Sequence, residues 1–145
     1  MNPSEIRVEL LGHHREIRAQ IDELREDLED CQPGGESRDD LRAALLLLAQ
    51  RVRAHNEREE ELLGDLLPGV DAWGPVRTEV MLREHAKEHE ELYDALLVAG
   101  DAPDAGRATI DLLRKMLAHM EHEEHIFLSE EVLSDGVVHG DPMGG

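Results

Sequence analysis

Apolar residues recur along this chain at steps of three and four, and polar residues interrupt the recurrence at regular places. In the first segment Ile6, Leu10, Ile17, Ile21, Leu24 and Leu28 form one stripe. In the second, Leu41, Leu45, Leu48, Val52, Leu62 and Leu66 do the same, with His55 and Glu59 filling a gap. The third stripe, Leu82, Leu92 and Leu96, has its gap at His85 and His89. The fourth, Leu112, Met116, Ile126 and Leu133, has its gap at His119 and Glu123. Such spacing marks one face of an α-helix. Pro33-Gly34-Gly35, then Pro68-Gly69 with Gly74-Pro75, then Gly100 with Pro103 separate the segments, because Gly and Pro punctuate helices. Ser4 and Ser37 are candidate caps for the first two helices, and Asp101 or Asp104 for the fourth. The pattern predicts an all-α fold, an up-down-up-down four-helix bundle over residues 1–136. Residues 137–145 show no periodicity and are expected to form a disordered tail.

Three of the stripes share one unit: Val52-x-x-His55-x-x-x-Glu59-x-x-Leu62, Leu82-x-x-His85-x-x-x-His89-x-x-Leu92 and Met116-x-x-His119-x-x-x-Glu123-x-x-Ile126. In a bundle these stripes meet on the axis, so six metal-capable side chains are expected to converge at mid-height. The stretch LAHMEHEEHIFL, Leu117 to Leu128, shows how its residues sort. At about 100° per residue, His119 and Glu123 stand about 40° apart inside the stripe. His122 falls on the border, while Glu121, Glu124 and His125 point away to solvent. On the first helix His13 and His14 lie on opposite edges of the stripe, each about 50° from its centre, and angle alone admits either.

Burying ionised carboxylates without partners is strongly unfavourable, and a metal ion on the axis removes that penalty. Imidazole and carboxylate without thiolate suit iron, zinc or manganese. The six inward residues exceed what one tetrahedral zinc takes, so two octahedral ions bridged by two carboxylates fit better. The Glu-x-x-His spacing of the common four-helix di-iron site is absent from the sequence, as is His-Glu-x-x-His. A histidine-rich, carboxylate-poor metal pair is the remaining reading. Without metal, desolvation and mutual repulsion are expected to raise the pKa values of Glu59 and Glu123.

Composition narrows the partners. A chain of 145 residues suits one domain with one core. One Trp, one Tyr and one Phe make aromatic packing scarce, so Trp73 and Tyr93 are read as packing residues. A net charge of −19 argues against nucleic acid. Cys31, the single cysteine, excludes an internal disulfide. The early charges resemble no signal peptide and no apolar run is long enough to span a membrane, so a cytoplasmic protein, monomeric or weakly oligomeric, is expected.

With these residues in hand, the chain resembles the bacterial hemerythrin-like proteins of the HHE cation-binding type over about residues 4 to 133. The order is His, then His-x-x-x-Glu, then His-x-x-x-His, then His-x-x-x-Glu, one element per helix. His14-Arg15-Glu16-Ile17 matches the family's first-helix pattern, so the resemblance selects His14. His55 to Glu60 and His119 to Glu124 are similar to the family's His-x-x-x-Glu-Glu signature. The resemblance implies His14, His55, His85, His89 and His119 as terminal ligands, with Glu59 and Glu123 as bridges. It implies two iron ions joined by an oxo or hydroxo bridge. The fourth helix departs from the oxygen-carrying invertebrate members, which place an Asp five residues after the His.

Two octahedral ions offer about twelve positions. Five histidines, two bridging carboxylates and one solvent-derived bridge leave about one open. The expected partner is therefore dioxygen, nitric oxide or peroxide, bound for sensing, storage or delivery. Peroxide decomposition, with His122 as a candidate general acid, and iron handling are the alternatives.

Overall fold

The computed structural model describes residues 1–30, 38–67, 75–129 and 133. Cys31, Ser37, Trp73 and residues 134–145 lie outside the described residues. Four helices follow in order: α1 (Pro3–Asp30), α2 (Arg38–Leu66), α3 (Pro75–Ala99) and α4 (Ala105–Ile126). No strand occurs among the described residues. No helix there is long and apolar enough to cross a membrane.

Each helix packs on its sequence neighbours, and α1 against α4 closes the ring. Paired contacts give the directions. Arg42 meets Asp101 while Arg53 meets Tyr93, so α2 and α3 run antiparallel. His119 meets Glu88 while Glu123 meets His85, which sets α3 against α4 in the same way. Arg7 donates to the Leu128 carbonyl while His14 meets Glu124, so α4 returns alongside α1. This is the predicted up-down-up-down bundle. Tyr93 stacks under the Arg53 guanidinium at 5.0 Å and accepts its hydrogen bond at 3.3 Å, a packing role between α2 and α3.

The start of α1 differs from expectation. Asn2, not Ser4, caps it. The Asn2 side chain accepts from the Glu5 amide at 2.8 Å, and Glu5 accepts in return from the Asn2 amide at 2.9 Å. This reciprocal box places Pro3 at the first helical position, where its missing N–H is harmless. For α4 the cap is Asp104, which accepts from the Arg107 amide. Asp101 instead pairs with Arg42 at 2.6 Å and holds the α3–α4 link onto α2. Arg38 donates to the Gly100 and Ala102 carbonyls of the same link. Gly100 permits that closeness: a Cβ there would stand 2.9 Å from the Arg42 Cγ.

The apolar core falls into two parts. The larger contains Ile17, Ile21 and Leu24 of α1, Leu41, Leu45, Leu48, Ala49 and Val52 of α2, Leu96 and Ala99 of α3, and Leu112, Leu113, Met116 and Met120 of α4. The smaller contains Ile6, Leu10, Leu63, Leu67, Phe127, Leu128 and Leu133. At the end of α2 the fully buried residues are Leu63 and Leu67, while the expected Leu62 and Leu66 are half-buried. A face wider than a single stripe accounts for it: both pairs border the Ile6–Leu10 side. Between the two apolar parts lies a polar layer.

Candidate metal centre

That layer consists of His14, His55, Glu59, His85, His89 and Glu123, each under 5 % exposed, with His119 at 12 %. All seven residues named in advance are therefore brought together. They form two groups sharing Glu123: His14, His55 and Glu59 with Glu123, and His85, His89 and His119 with Glu123. Within each group the potential ligand atoms lie within 4.8 Å of one another.

All five histidines present Nε2 to the axis. The Glu59 carboxylate divides between the groups. Its Oε2 stands 2.9 Å from His55 and 3.7 Å from His14. Its Oε1 stands 2.5 Å from His85 and 3.6 Å from His89. Glu123 divides likewise. Its Oε1 is 3.2 Å from His14, and its Oε2 is 2.5, 3.0 and 3.4 Å from His85, His89 and His119. Each carboxylate thus offers one oxygen to a two-histidine group and the other to a three-histidine group.

The donor set fits cations better than it fits itself. Glu59 Oε2 and His119 Nε2 are buried with no hydrogen-bond partner despite these short approaches. His14 and His55 bring their Nε2 atoms to 3.2 Å. Metal–ligand bonds of about 2.1 Å put neighbouring octahedral ligands about 3.0 Å apart. The His14–His55, His55–Glu59 and His89–Glu123 separations of 3.2, 2.9 and 3.0 Å match that edge.

Three of the opposite ring nitrogens, those of His14, His55 and His119, have partners that apolar spacing does not show, while that of His89 is buried without a hydrogen bond. His14 Nδ1 meets Glu124 at 2.7 Å, and Arg18 holds the same carboxylate at 2.7 Å. Glu124 therefore does not point to solvent as expected. Its long side chain crosses to the next helix. His119 Nδ1 meets Glu88 at 3.2 Å, and His89 Nδ1 lies 3.8 Å from Glu60. His14 takes the axis, and half-buried His13 meets His55, Nδ1 to Nδ1, at 3.1 Å. In each His-x-x-x-Glu-Glu unit the first glutamate faces the axis; the second meets an imidazole in the case of Glu124 and stands 3.8 Å from one, beyond hydrogen-bond reach, in the case of Glu60. Exposed His122 lines a surface hollow with Glu84, His85 and Glu88, and His125 is exposed.

Charge in the layer without metal runs opposite to the sequence expectation for the two acids. Burial pushes Glu59 up, as does its neighbour Glu123, but hydrogen bonds from His14 and His55 bring it below the usual carboxylate value. Glu123 falls well below it against the same desolvation. Burial would push His14 and His85 down; hydrogen bonds to Glu123 and Glu59 carry both up to about 10. The expectation omitted the imidazoles as proton holders.

A cavity of about 20 Å³ adjoins the layer, touching His55, His119 and Glu123. Ile17, Val52, Leu92, Met116 and Met120 wall it, and Asn56 adds a polar group. Such a space holds about one water-sized molecule.

The family model described as hemerythrin HHE cation binding domain matches residues 6–131. Comparisons with curated proteins and with solved structures gave no match.

Proposed function

Because the chain belongs to the hemerythrin HHE cation-binding domain family, we propose that it holds two iron ions and binds dioxygen or a related small ligand, such as nitric oxide or peroxide, beside them. The divided carboxylates carry this reading. Glu59 and Glu123 each face both histidine groups, which is the arrangement two bridged ions require. His14 and His55 hold one ion; His85, His89 and His119 hold the other. Bound iron supplies the redox-active centre and the ligand position.

The two groups differ by one histidine, and the sequence says why. His85 stands one turn before His89 on α3. One turn before His14 on α1 stands Leu10, fully buried and apolar. The His14–His55 side is therefore one ligand short, which leaves a free position on the Leu10 side of an ion held there. The cavity walled by Ile17, Val52, Leu92, Met116 and Met120 meets the layer from the larger core, at His55 and His119, and its size excludes anything much larger than a diatomic molecule. His122 does not line that cavity, which favours binding over acid-assisted peroxide turnover.

The test is metal analysis of protein grown with ample iron, followed by anaerobic reduction and mixing with air or nitric oxide. About two irons per chain and a reversible optical change are expected. One zinc and no iron would overturn the reading, and rapid irreversible oxidation would overturn reversible oxygen binding.

A further inference from the structure

The layer repeats itself between the two halves of the chain. Helix α1 corresponds to α3, with His14 matching His89 and His13 matching Glu88. Helix α2 corresponds to α4, with His55, Glu59 and Glu60 matching His119, Glu123 and Glu124. The contacts obey this relation. The residue following each bridging glutamate reaches an imidazole of α1 or α3: Glu124 meets His14 at 2.7 Å and Glu60 approaches His89 at 3.8 Å. The residue preceding each of those imidazoles reaches one on α2 or α4: His13 meets His55 at 3.1 Å and Glu88 meets His119 at 3.2 Å. Three of these four outer positions carry carboxylates, although Glu60 stands beyond hydrogen-bond reach of His89, whose Nδ1 is buried without a partner. The fourth carries His13.

We propose that His13 is a positioning residue that takes the place of a carboxylate, holding His55 through an uncharged acceptor and so making the two metal positions electronically unequal. The inference rests on the two-ion reading above. An imidazole that binds a cation through Nε2 keeps its proton on Nδ1. His55 then donates, and His13 must accept at Nδ1 and carry its own proton on Nε2. A neutral acceptor fixes the ring without adding charge. On the same side the charge of Glu124 is matched by Arg18 at 2.7 Å. On the other side Glu60 and Glu88 form no ion pair with lysine or arginine among the described residues, although Arg83 and Lys87 line the same surface hollow as Glu60. Carboxylate partners raise the basicity of a ligand imidazole and favour the higher charge on its ion. The His85–His89–His119 position therefore prefers the trivalent state, and the His14–His55 position holds the divalent state to higher potential.

The experiment compares full-length protein with His13→Ala, His13→Asn and His13→Glu. Iron affinity is read by chelator competition, midpoint potentials by optical redox titration, and helicity by circular dichroism. His13→Ala is expected to weaken one of the two irons by about 10–100-fold, the usual effect of losing an outer partner. His13→Asn, which puts an acceptor oxygen near the lost Nδ1, is expected to restore it. His13→Glu is expected to keep both irons and lower one midpoint potential. Unchanged affinity in His13→Ala, loss in His13→Asn equal to that in His13→Ala, or an unchanged or raised potential in His13→Glu overturns the inference. Wild-type protein that takes up one ion or none overturns the two-ion reading itself.

Discussion

At the scale of single residues, the two nitrogens of His14, His55 and His119 face different partners, and substitutions sort accordingly. On the proposed two-iron reading, His119→Ala or Glu59→Ala removes a ligand and is expected to lower the iron content per chain. Glu124→Ala removes the support of His14 and leaves Arg18 without its carboxylate partner. It is expected to weaken iron by about tenfold or more, whereas exposed His125→Ala leaves it unchanged. Iron per chain after passage over a chelating resin separates these cases. Equal retention by His119→Ala and His125→Ala would show that α4 is phased otherwise. Leu10→His offers a sharper test. It places an imidazole opposite His85, so two irons should remain while azide no longer binds the oxidised protein. Continued azide binding at wild-type affinity would locate the free position elsewhere.

At the scale of the helix, most of the architecture was legible from spacing alone. Six of the seven axis residues stood in gaps of apolar stripes, and burial of such gaps is a property of one helix at a time. His14 needed the resemblance, because angle left His13 equally placed. The outer partners were not legible. Glu60, Glu88 and Glu124 lie off the stripes, and only the neighbouring helix shows where a long side chain can reach. The Asn2 cap was legible in principle, since Asn-Pro-Ser-Glu is a cap, a first-position proline and a returning glutamate. Ser4 was favoured because serine is also a good cap. Asn2→Ala is expected to destabilise the protein by about 1 kcal/mol, measured by urea denaturation. An unchanged midpoint would mean that the box contributes nothing to α1.

At the scale of the molecule, the layer links stability to pH. His14 and His85 sit at about 10 in the metal-free fold against an ordinary 6.5. Their contribution is complete below about 6.5 and declines as pH rises toward 10. Glu59 and Glu123 lie below the ordinary 4.5, so their contribution is present above that value and is lost as pH falls through their lower folded pKa values. Metal-free protein should therefore be most stable between about pH 4.5 and 6.5. Raised acid pKa values, as expected from the sequence, would favour acidic pH through protonated carboxyls; the structure favours it through protonated imidazoles and ionised carboxylates. Iron displaces those protons, so loaded protein should melt higher at pH 7, by a margin that widens as pH rises toward 9. Paired thermal melts from pH 5 to 9 check this. Coincident curves at pH 7 would remove the case for a buried metal layer.

The polar layer also divides the bundle into two bodies of unequal size. The smaller is gathered from the start of α1, the end of α2, the start of α3 and the segment after α4, with Ile6, Leu10, Leu63, Leu67 and Phe127 among its buried members. Seven residues facing the axis tie it to the larger body, and the ions would be the rivets. Without them this end is expected to open as its own cooperative unit while the rest stays closed. Amide hydrogen exchange would record it. In metal-free protein the amides of Leu10 and Leu63 should exchange well before those of Leu48 and Leu113, and iron should slow the first pair most. Equal slowing at all four would mean that the bundle opens only as a whole.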